Sequence, residues 1–418
     1  MEREGNPNQA SDLENIVLED IVVVAGTRLP IGKFGGSLKD FPVYDLGAMV
    51  IAETVRRSGL DANDIDEVFV AHNRQSGNGP NPGRTAAVRG GIPTSVPAHT
   101  INMACPAGLR ATIEAAQAIL LGDCEVAVVC GMESMSTIPH ILTGARWKPL
   151  RTGNLVVQDE FFGMIEPLSG MDTIELAEHT AHKYSISRQE QELFALESHS
   201  KAARAWDEGW FDDEVLAVEI KDERGKPLRI FDRDECFRAD TSLEKMAKLK
   251  PAREGGTVTA AMASAVTDGA GAFVLTTRAR AAAAGITPLS SLVAYAQIGL
   301  DPADMLEGPA FAIPLVLGKA GLSLDDIDLI EVNEAFASQI LANEQELDWD
   351  RSRLNVHGGA IALGHPTGFT GVRLMISLSY ALRTHGGTYG LIAVCGGGGL
   401  GVAIIIRSEA GEPMTTGE

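Results

Sequence analysis

Short apolar runs alternate with helical patterns along most of the chain. The runs "IVVVAG" and "EVAVVC" are rich in β-branched residues, which is typical of buried strands. Between such runs, apolar residues recur at helical spacing, as at Leu109, Ile113, Ala116 and Leu120. This alternation predicts an α/β protein in which helices pack on the faces of sheets.

The chain also repeats its own pattern. The stretch "SGLDANDIDEVFVAHN" resembles "AGLSLDDIDLIEVNEA" at an offset of 262 residues. The helix predicted after Cys105 resembles the one after His365 at an offset of 260, and the strand that ends at Cys130 corresponds to the one that ends at Cys395 at an offset of 265. Three matches in the same order at nearly the same offset indicate two copies of one strand-helix-strand-helix-strand unit.

A glycine-rich turn distinguishes the two copies. In the second copy, "IAVCGGGGLGVAIII" predicts a strand, a tight turn and a returning strand, because apolar residues resume at Val402. "GGGGLG" formally matches the dinucleotide-binding pattern GxGxxG, but that pattern must open into a helix. In the first copy the matching returning strand, "GAFVL" at 271–275, lies far beyond Cys130. We therefore predict an inserted, more charged segment that caps the mouth of the site.

These patterns predict five segments. They are a tail (1–19), a first half (20–131 and 257–285), an inserted loop domain (132–256), a second half (286–408) and a second tail (409–418).

Charge and composition narrow the range of partners. With 35 basic and 56 acidic residues, the formal net charge is −21, which argues against a nucleic-acid partner. The longest apolar stretch, 391–406, contains five glycines and is too short to span a bilayer. The first residues are acidic and amide-rich where a secretory signal has an apolar core. We expect a cytoplasmic protein with no membrane span.

Five cysteines without a CxxC pair indicate reduced thiols. They are Cys105, Cys124, Cys130, Cys236 and Cys395. Cys105 precedes Pro106, which suits the first helical position, so we expect this thiol at a helix entrance, where free N–H groups and the helix dipole stabilise a thiolate. For Cys124 and Cys130 we favour the usual role of a free cysteine, a small buried hydrophobe, and for Cys236 a surface or half-buried thiol.

The second copy supplies a partner for that thiol. His365 occupies the equivalent helix entrance and is also followed by proline. If the two copies face each other, Cys105 and His365 approach, and Cys395 can join them from the carboxyl end of its strand. His179 and His182 are three positions apart, but without a third ligand a solvated helix face is the more common explanation. We expect no metal.

Taken together, these segments resemble the thiolase family, the acyl-CoA C-acyltransferases, over nearly the whole chain from Ile21 to Ile406. The matching segments, in order, are "GKFGGSL", "GRTAAVRGGIP", "CPAGLRA", "GMESMS", "GTVTA", "NEAFA", "GGAIALGHPTG" and "CGGGGLG". The resemblance implies a thiolase-like αβαβα sandwich of two duplicated halves with an inserted loop domain.

The resemblance also implies roles for five residues. Cys105 would be the acylated nucleophile, His365 its activator, Cys395 the second acid/base and Asn333 the holder of a catalytic water. One oxyanion hole would use His365 and that water, and the other the backbone N–H groups of Cys105 and Gly397. The implied reaction makes or cleaves a 3-oxoacyl-CoA, as in fatty acid metabolism and β-oxidation.

Binding residues follow from the same resemblance. Ser264 and Ala260 would line the pantetheine channel, Phe336 its floor and Arg238 the nucleotide end. The alternative for each is an ordinary loop or core residue. The implied partners are acyl-CoA, acetyl-CoA and CoA as substrates, with no separate cofactor, and the implied assembly is a homodimer or homotetramer.

Some residues depart from the family pattern, and two other functions are open. The departures surround the acyl and pantetheine channels: Pro106, Arg253, Met262 and His357. One alternative is a 3-oxoacyl synthase-like condensing enzyme, which would carry histidine in place of Asn333 and lack Cys395. The other is a non-catalytic relative that binds acyl-CoA.

Overall fold

The computed structural model describes residues 17–147, 153–161 and 165–409. Its strands are β1 (Ile21–Arg28), β2 (Gly32–Lys33), β3 (Glu67–Ala71), β4 (Ala98–Ile101), β5 (Val126–Ser134), β6 (His140–Ile141), β7 (Gln158–Asp159), β8 (Val218–Lys221), β9 (Pro227–Phe231), β10 (Thr267–Thr277), β11 (Ser290–Gly299), β12 (Leu329–Val332), β13 (Tyr389–Gly396) and β14 (Leu400–Ser408). Its helices are α1 (Val43–Ser58), α2 (Pro82–Arg89), α3 (Ala107–Leu121), α4 (Thr173–Lys183), α5 (Arg188–Asp207), α6 (Leu243–Ala247), α7 (Arg278–Ala283), α8 (Gly308–Ala320), α9 (Ala337–Leu347), α10 (Ala360–Leu363) and α11 (Thr367–His385). Most of the two predicted tails, residues 1–16 and 410–418, lies outside the described residues.

The main sheet joins strands from both predicted halves. Its order is β12-β13-β14-β11-β1-β10-β5-β3-β4, and β2 pairs with β10. The two halves meet where β1 pairs with β11, through Val22 opposite Ser291 and Val23 opposite Ser290. Every residue of β1 and β5 is buried, which requires packing on both faces of the sheet.

The duplication is visible in the strand pairing. In the first half β5 pairs with β3 in parallel and with β10 antiparallel, and in the second half β13 pairs in the same way with β12 and β14. The predicted glycine hairpin joins β13 to β14, with Gly398 and Gly399 at positive φ. The predicted returning strand of the first half is β10, in which Ala272 lies opposite Cys130.

Helices pack on both faces of this sheet. Both α3 and α11 contact strands of both halves, α1 and α2 cover the outer face of the first half, and α8 covers the outer face of the second. The central helices thus lie between the first-half and second-half parts of the sheet, which remain joined at β1 and β11, and this layering confirms the predicted fold class. Among the described residues, no helix combines the length and the apolar character needed to cross a bilayer.

The two central helices cross at glycines. A Cβ at Gly108 would lie 2.6 Å from Val372 N, and a Cβ at Gly371 would lie 2.5 Å from Leu109 N. Both glycines lie in the first turn or two of their helices. The crossing therefore brings the amino-terminal ends of α3 and α11 together, and the candidate chemistry lies at these ends.

A buried ionic cluster holds Glu214 and Asp234, two residues of the segment between β5 and β10, against the main sheet. Arg28, the last residue of β1, places Nε 2.5 Å from Glu214 and Nη1 2.8 Å from Asp234. Ser377 of α11 donates a hydrogen bond to the same Glu214 carboxylate at 3.1 Å. All four side chains are buried, so this segment is held against both the sheet and the central helix layer.

Candidate active site

Cys105 lies in the junction between β4 and α3. Ala104, directly before it, has φ 53, and Pro106, directly after it, is the N-cap of α3. The prediction that Pro106 occupies the first helical position was wrong by one residue, because Ala107 N–H bonds back to Ala104 O in a turn that precedes the helix. The thiol still lies at the helix entrance, and its side chain is partly exposed.

His365 occupies the corresponding position in the second half. It directly precedes Pro366, the N-cap of α11, and its backbone N–H donates to Ala265 O at 3.0 Å. Gly364 before it has φ 109, and a Cβ there would lie 2.4 Å from Thr267. The two candidate residues therefore share one local geometry, a reactive side chain directly before a proline N-cap, on helices that cross near these ends.

The surroundings of His365 assign its tautomer. Thr370 Oγ1 lies 2.7 Å from His365 Nδ1 and 3.1 Å from Pro366 O, a carbonyl that can only accept. We assign the single hydroxyl proton to Pro366 O, so Nδ1–H donates to Thr370. Burial, followed by the charge of Arg373, lowers the pKa of His365 to about 4. At neutral pH the imidazole is uncharged, and its Nε2 lone pair can accept a proton.

The expectation that the helix entrance stabilises a Cys105 thiolate was wrong. Burial raises the pKa of the Cys105 thiol above its usual range, and the Arg74 charge and the backbone N–H groups of Gly397 and of Cys105 itself only partly oppose this effect. Gly397 lies in the β13–β14 turn of the other half, next to Gly396, where a Cβ would lie 2.5 Å from Pro106 Cδ. The glycines thus allow the turn to pack directly against the candidate nucleophile.

Cys395 belongs to the same site. It is almost fully buried in β13, two residues before Gly397. Burial and the neighbouring Cys105 raise the pKa of its thiol, so Cys395 carries its proton at neutral pH. The side chain packs in an apolar cluster that includes Met305 and Phe336.

Asn333 contributes unpartnered polar atoms. It follows β12, is fully buried, and its backbone N–H donates to Ala393 O at 3.0 Å. Within the described part of the chain, neither its amide nitrogen nor its amide oxygen has a hydrogen-bond partner, and the same holds for His365 Nε2. Buried polar atoms without protein partners are commonly satisfied by an ordered water.

A cavity of about 650 Å³ lies beside the site. Arg238 and Ala260, two of the four predicted binding residues, line it, together with Ala265. Ala265 accepts the backbone hydrogen bond from His365, so the cavity wall adjoins the site. Among the described residues, the charged side chains that line the cavity are Lys33, Arg238, Lys245, Glu235 and Asp240, which leaves one more cation than anion on a chain whose formal net charge is −21.

The other two predicted binding residues lie behind the cavity wall. Ser264 N–H donates to Ala335 O at 3.0 Å, and Ala263, which lines the cavity, forms a β-bridge with Phe336. Neither Ser264 nor Phe336 lines the cavity itself. Phe336 instead packs beside Cys395.

The remaining cysteines occupy various positions. Cys124 and Cys130 are buried in the cores, where desolvation raises the pKa of both thiols. Cys236 is half-buried and lines the cavity, which sequence reasoning did not predict.

His179 lies 3.4 Å from Asp304 on the outside of α4. In residues 17–147, 153–161 and 165–409, no group of three or more metal-ligating side chains converges.

Sequence reasoning missed three residues near the site. Thr370 sets the tautomer of His365, and Arg74 contributes a positive charge beside Cys105. Glu133 accepts hydrogen bonds from Arg74 N and from Gly368 N, near the start of α11. Glu133 lies within "GMESMS", one of the segments that carried the family resemblance. The family resemblance of that segment was the only sequence signal at Glu133, and it indicated no role for this residue.

Comparisons with known proteins agree across the chain. Residues 21–279 match the family model of the thiolase N-terminal domain, and residues 286–408 match that of the thiolase C-terminal domain. An acetyl-CoA acetyltransferase of Pseudomonas aeruginosa is 44% identical over 395 residues, which are 94% of this chain and 100% of the relative. A mitochondrial acetyl-CoA acetyltransferase of Xenopus tropicalis is 38% identical over 394 residues, 93% of this chain and 92% of the relative.

Solved structures extend this similarity to the fold. The Bacillus anthracis acetyl-CoA acetyltransferase has a TM-score of 0.90 and 41% identity, covering 94% of this chain and 100% of that chain. Human mitochondrial 3-ketoacyl-CoA thiolase in complex with CoA has a TM-score of 0.90 and 38% identity, covering 94% of this chain and 99% of that chain.

Proposed function

The chain belongs to the thiolase family, and we propose that it is an acyl-CoA C-acyltransferase that makes or cleaves a 3-oxoacyl-CoA through an acyl-enzyme on Cys105. One observation carries this proposal. The glycine turn of the second half packs against the loop that carries Cys105 in the first half: a Cβ at Gly396 would lie 2.5 Å from Pro106 Cδ, and Cys395 directly precedes that glycine. This contact supports a reaction centre shared by two thiols and a neutral imidazole.

The first half-reaction transfers the acyl group. Cys105 attacks the thioester carbonyl of an acyl-CoA and passes its proton to His365 Nε2. The N–H groups of Cys105 and Gly397 stabilise the oxyanion that forms. The carbon–sulfur bond to CoA then breaks, and the leaving thiolate takes the proton of Cys395.

The second half-reaction forms the carbon–carbon bond. The Cys395 thiolate removes a proton from the α-carbon of acetyl-CoA. The Nε2–H of protonated His365 and a water on Asn333 stabilise the developing enolate oxygen. The carbanion attacks the acyl-enzyme carbonyl, and the departing Cys105 regains its proton from His365. The products are a 3-oxoacyl-CoA and CoA. In the reverse direction, CoA is a reactant and the 3-oxoacyl-CoA is cleaved.

Two features support CoA thioesters as the substrates. Arg238 and Lys33 line the cavity beside the site and suit the phosphates of CoA, and the human thiolase of the same fold was solved with CoA bound. The names of the bacterial relatives favour acetyl as the transferred group. The condensing-enzyme alternative is not favoured, because this chain carries Asn333 and Cys395.

We also propose a cytoplasmic homodimer or homotetramer. Strand β4 is the edge of the sheet, and three of its four residues are only partly buried, so its backbone is available for pairing with a second copy.

Acyl-enzyme mapping tests the proposal. Purified wild-type protein and the Cys105→Ser and Cys395→Ser variants are incubated with acyl-CoA donors of increasing length, and peptide masses are recorded. We expect the label on the Cys105 peptide in wild type, none in Cys105→Ser, and labelling without carbon–carbon exchange in Cys395→Ser. An acyl label on any other residue in wild type would contradict the proposal, and the longest donor that acylates measures the acyl pocket.

A further inference from the structure

A buried carboxylate lies between the loops that carry Cys105 and His365. Glu133, near the end of β5, is fully buried. Its oxygens accept hydrogen bonds from four donors: Arg74 N (3.1 Å), Asn73 N (3.2 Å), Thr367 Oγ1 (2.7 Å) and Gly368 N (2.9 Å). Two of these donors come from the first half of the chain and two from the second, and His72 Nδ1 lies 2.7 Å from Glu133 Oε1.

The first-half donors connect Glu133 to the nucleophile. Asn73, held through its backbone N–H, donates from its side chain to Ala104 O at 2.9 Å. Ala104 directly precedes Cys105 and has φ 53, a conformation that costs a non-glycine residue energy and persists only when its neighbours hold it. Asn102 adds a second restraint, because its side chain accepts from Ala104 N at 3.0 Å and donates to Asn73 O at 3.2 Å.

The second-half donors connect Glu133 to the activator. Thr367 and Gly368 are the first two residues of α11, directly after His365 and Pro366. A Cβ at Gly368 would lie 2.8 Å from Met132 O, so the helix end sits close against β5. One carboxylate therefore restrains the residues next to both reactive side chains.

The charge state of Glu133 suits this arrangement. Burial alone would raise the pKa of its carboxyl, but the neighbouring His72 and the hydrogen bonds from Thr367 and Arg74 outweigh burial and lower that pKa below its usual range. The group is ionised at neutral pH, and both oxygens act only as acceptors.

We propose that Glu133 is a positioning residue that fixes the Cys105 thiol relative to the His365 imidazole by holding the two loops together. The inference rests on the proposed function for the roles of those two residues. Glu133 touches neither substrate nor the transferred group. Its charge raises the pKa of the Cys105 thiol and of the His365 imidazole, and its hydrogen bonds hold the loops that carry them, so the test must separate the charge effect from the geometric one. A displacement of about 1 Å in such a pair can lower a rate about 100-fold.

The test begins with Glu133→Gln. Glutamine keeps the shape of the side chain but has only one acceptor oxygen. Its NH₂ group cannot accept hydrogen bonds from the donors that face it, so one of the two loops is released. We expect kcat to fall about 10- to 100-fold while KM for acyl-CoA changes less than about two-fold. In a Cys395→Ser background, we follow iodoacetamide alkylation of the Cys105 peptide by mass. Loss of the Glu133 charge should shift the pH profile to lower pH, whereas loss of positioning should lower the plateau rate of the fully formed thiolate at least about 10-fold.

Glu214→Gln is the matched control. Glu214 is also buried and also accepts from α11, but at Ser377, ten residues or about 15 Å farther along the helix. We expect this variant, when folded by circular dichroism, to keep the alkylation rate and kcat of wild type even if its melting temperature falls.

If Glu133→Gln does not fold, the variants Thr367→Val and Thr367→Ser test the positioning role of Glu133 instead. The valine variant removes one second-half donor and should lower kcat and the alkylation rate, and the serine variant should restore both. An unchanged Glu133→Gln, or an equal loss in Glu214→Gln, would overturn the proposal. Alkylation needs no turnover, so these outcomes remain readable if the wild-type protein proves inactive with CoA thioesters.

Discussion

Desolvation of single side chains sets the protonation states that the proposed reaction needs. Burial keeps His365 neutral at physiological pH, so it can act as a base, and the same effect keeps the proton on Cys395, so it can act as an acid. The pKa of the Cys105 thiol is also raised by burial, although two N–H groups and the Arg74 charge partly oppose this effect, whereas no charged side chain among the described residues opposes it at Cys395. In the proposed reaction Cys105 therefore needs His365 to take its proton.

Thr370→Val should slow the reaction without weakening substrate binding. The change removes the hydroxyl that accepts from His365 Nδ1 and so releases the ring and its tautomer. We expect kcat to fall about 10- to 100-fold with KM changed less than about two-fold, as the loss of orienting partners does elsewhere. Steady-state thiolysis kinetics measure this, and Thr370→Ser, which keeps the hydroxyl, is the control. Equal kcat in the valine variant and wild type would refute the tautomer assignment.

His357 should make stability depend on pH. Burial, then the neighbouring His385 and Arg204, lowers the pKa of His357 to about 3, and its Nε2 lies 2.9 Å from His385 Nε2. Because the unfolded chain binds a proton near pH 6.5 and the native chain does not, the contribution of His357 is complete above pH 6.5 and is lost as pH falls toward 3. At pH 5 this loss is about 2 kcal/mol.

The comparison of wild type with His357→Asn isolates that effect. We expect the variant to be less stable than wild type by about 1–3 kcal/mol at pH 7.5, because it loses the imidazole contacts with His385 and Trp210. The deficit should shrink by up to about 2 kcal/mol at pH 5. Urea unfolding at both pH values measures it, and a deficit independent of pH would contradict the prediction.

At the scale of elements, the crossing of α3 and α11 brings the two halves of the site together. Each helix presents a glycine where the other backbone passes, and each begins directly after a proline that follows a reactive residue. The close contact therefore stabilises the fold and also positions Cys105 and His365.

Gly371→Ala should destabilise the protein, although alanine is the better helix former. Its Cβ would lie 2.5 Å from Leu109 N and force the helices apart, at a cost of about 1–3 kcal/mol. Gly318→Ala in α8 is the control, since no atom lies within 4 Å of the added Cβ, and it should stabilise by about 0.5–1 kcal/mol. Chemical denaturation measures both, and effects of the same sign would contradict the role of the crossing.

At the scale of the whole molecule, the segment between β5 and β10 is held by charge as well as by packing. Arg28 of β1 bridges Glu214 and Asp234, and Trp206 donates to the same Asp234 at 3.2 Å. Arg238, which lines the cavity, lies four residues beyond Asp234. The cluster thus connects the sheet to the proposed CoA-binding wall.

Arg28→Met should destabilise the protein by about 3–5 kcal/mol, because it leaves Glu214 and Asp234 buried without their cation. Arg56→Met is the matched control. It breaks the surface pair with Glu53 and should change the free energy of unfolding far less than Arg28→Met does, because solvent screens an exposed pair. Urea unfolding followed by circular dichroism compares the two, and similar losses would show that the buried cluster does not fasten the segment.

The sequence alone determined the architecture and the reactive residue types. The repeat at offsets near 260 predicted two copies of one unit, and the hydrophobic pattern around the glycine run predicted the β13–β14 hairpin, because both signals depend on local chain chemistry. Cys105 and His365 were found for the same reason, since each precedes a proline at a helix entrance.

Only the tertiary structure decided which groups surround those residues. Thr370 sets the tautomer of His365, Glu133 gathers donors from both halves, and Cys236 lines a cavity, but no local pattern marks these roles. The contact of Thr370 with His365 is local but depends on the side-chain orientation at the start of α11, and the contact of Glu133 with Thr367 joins segments more than 200 residues apart. Such contacts exist only after the halves have packed, because distance and desolvation are properties of the folded chain.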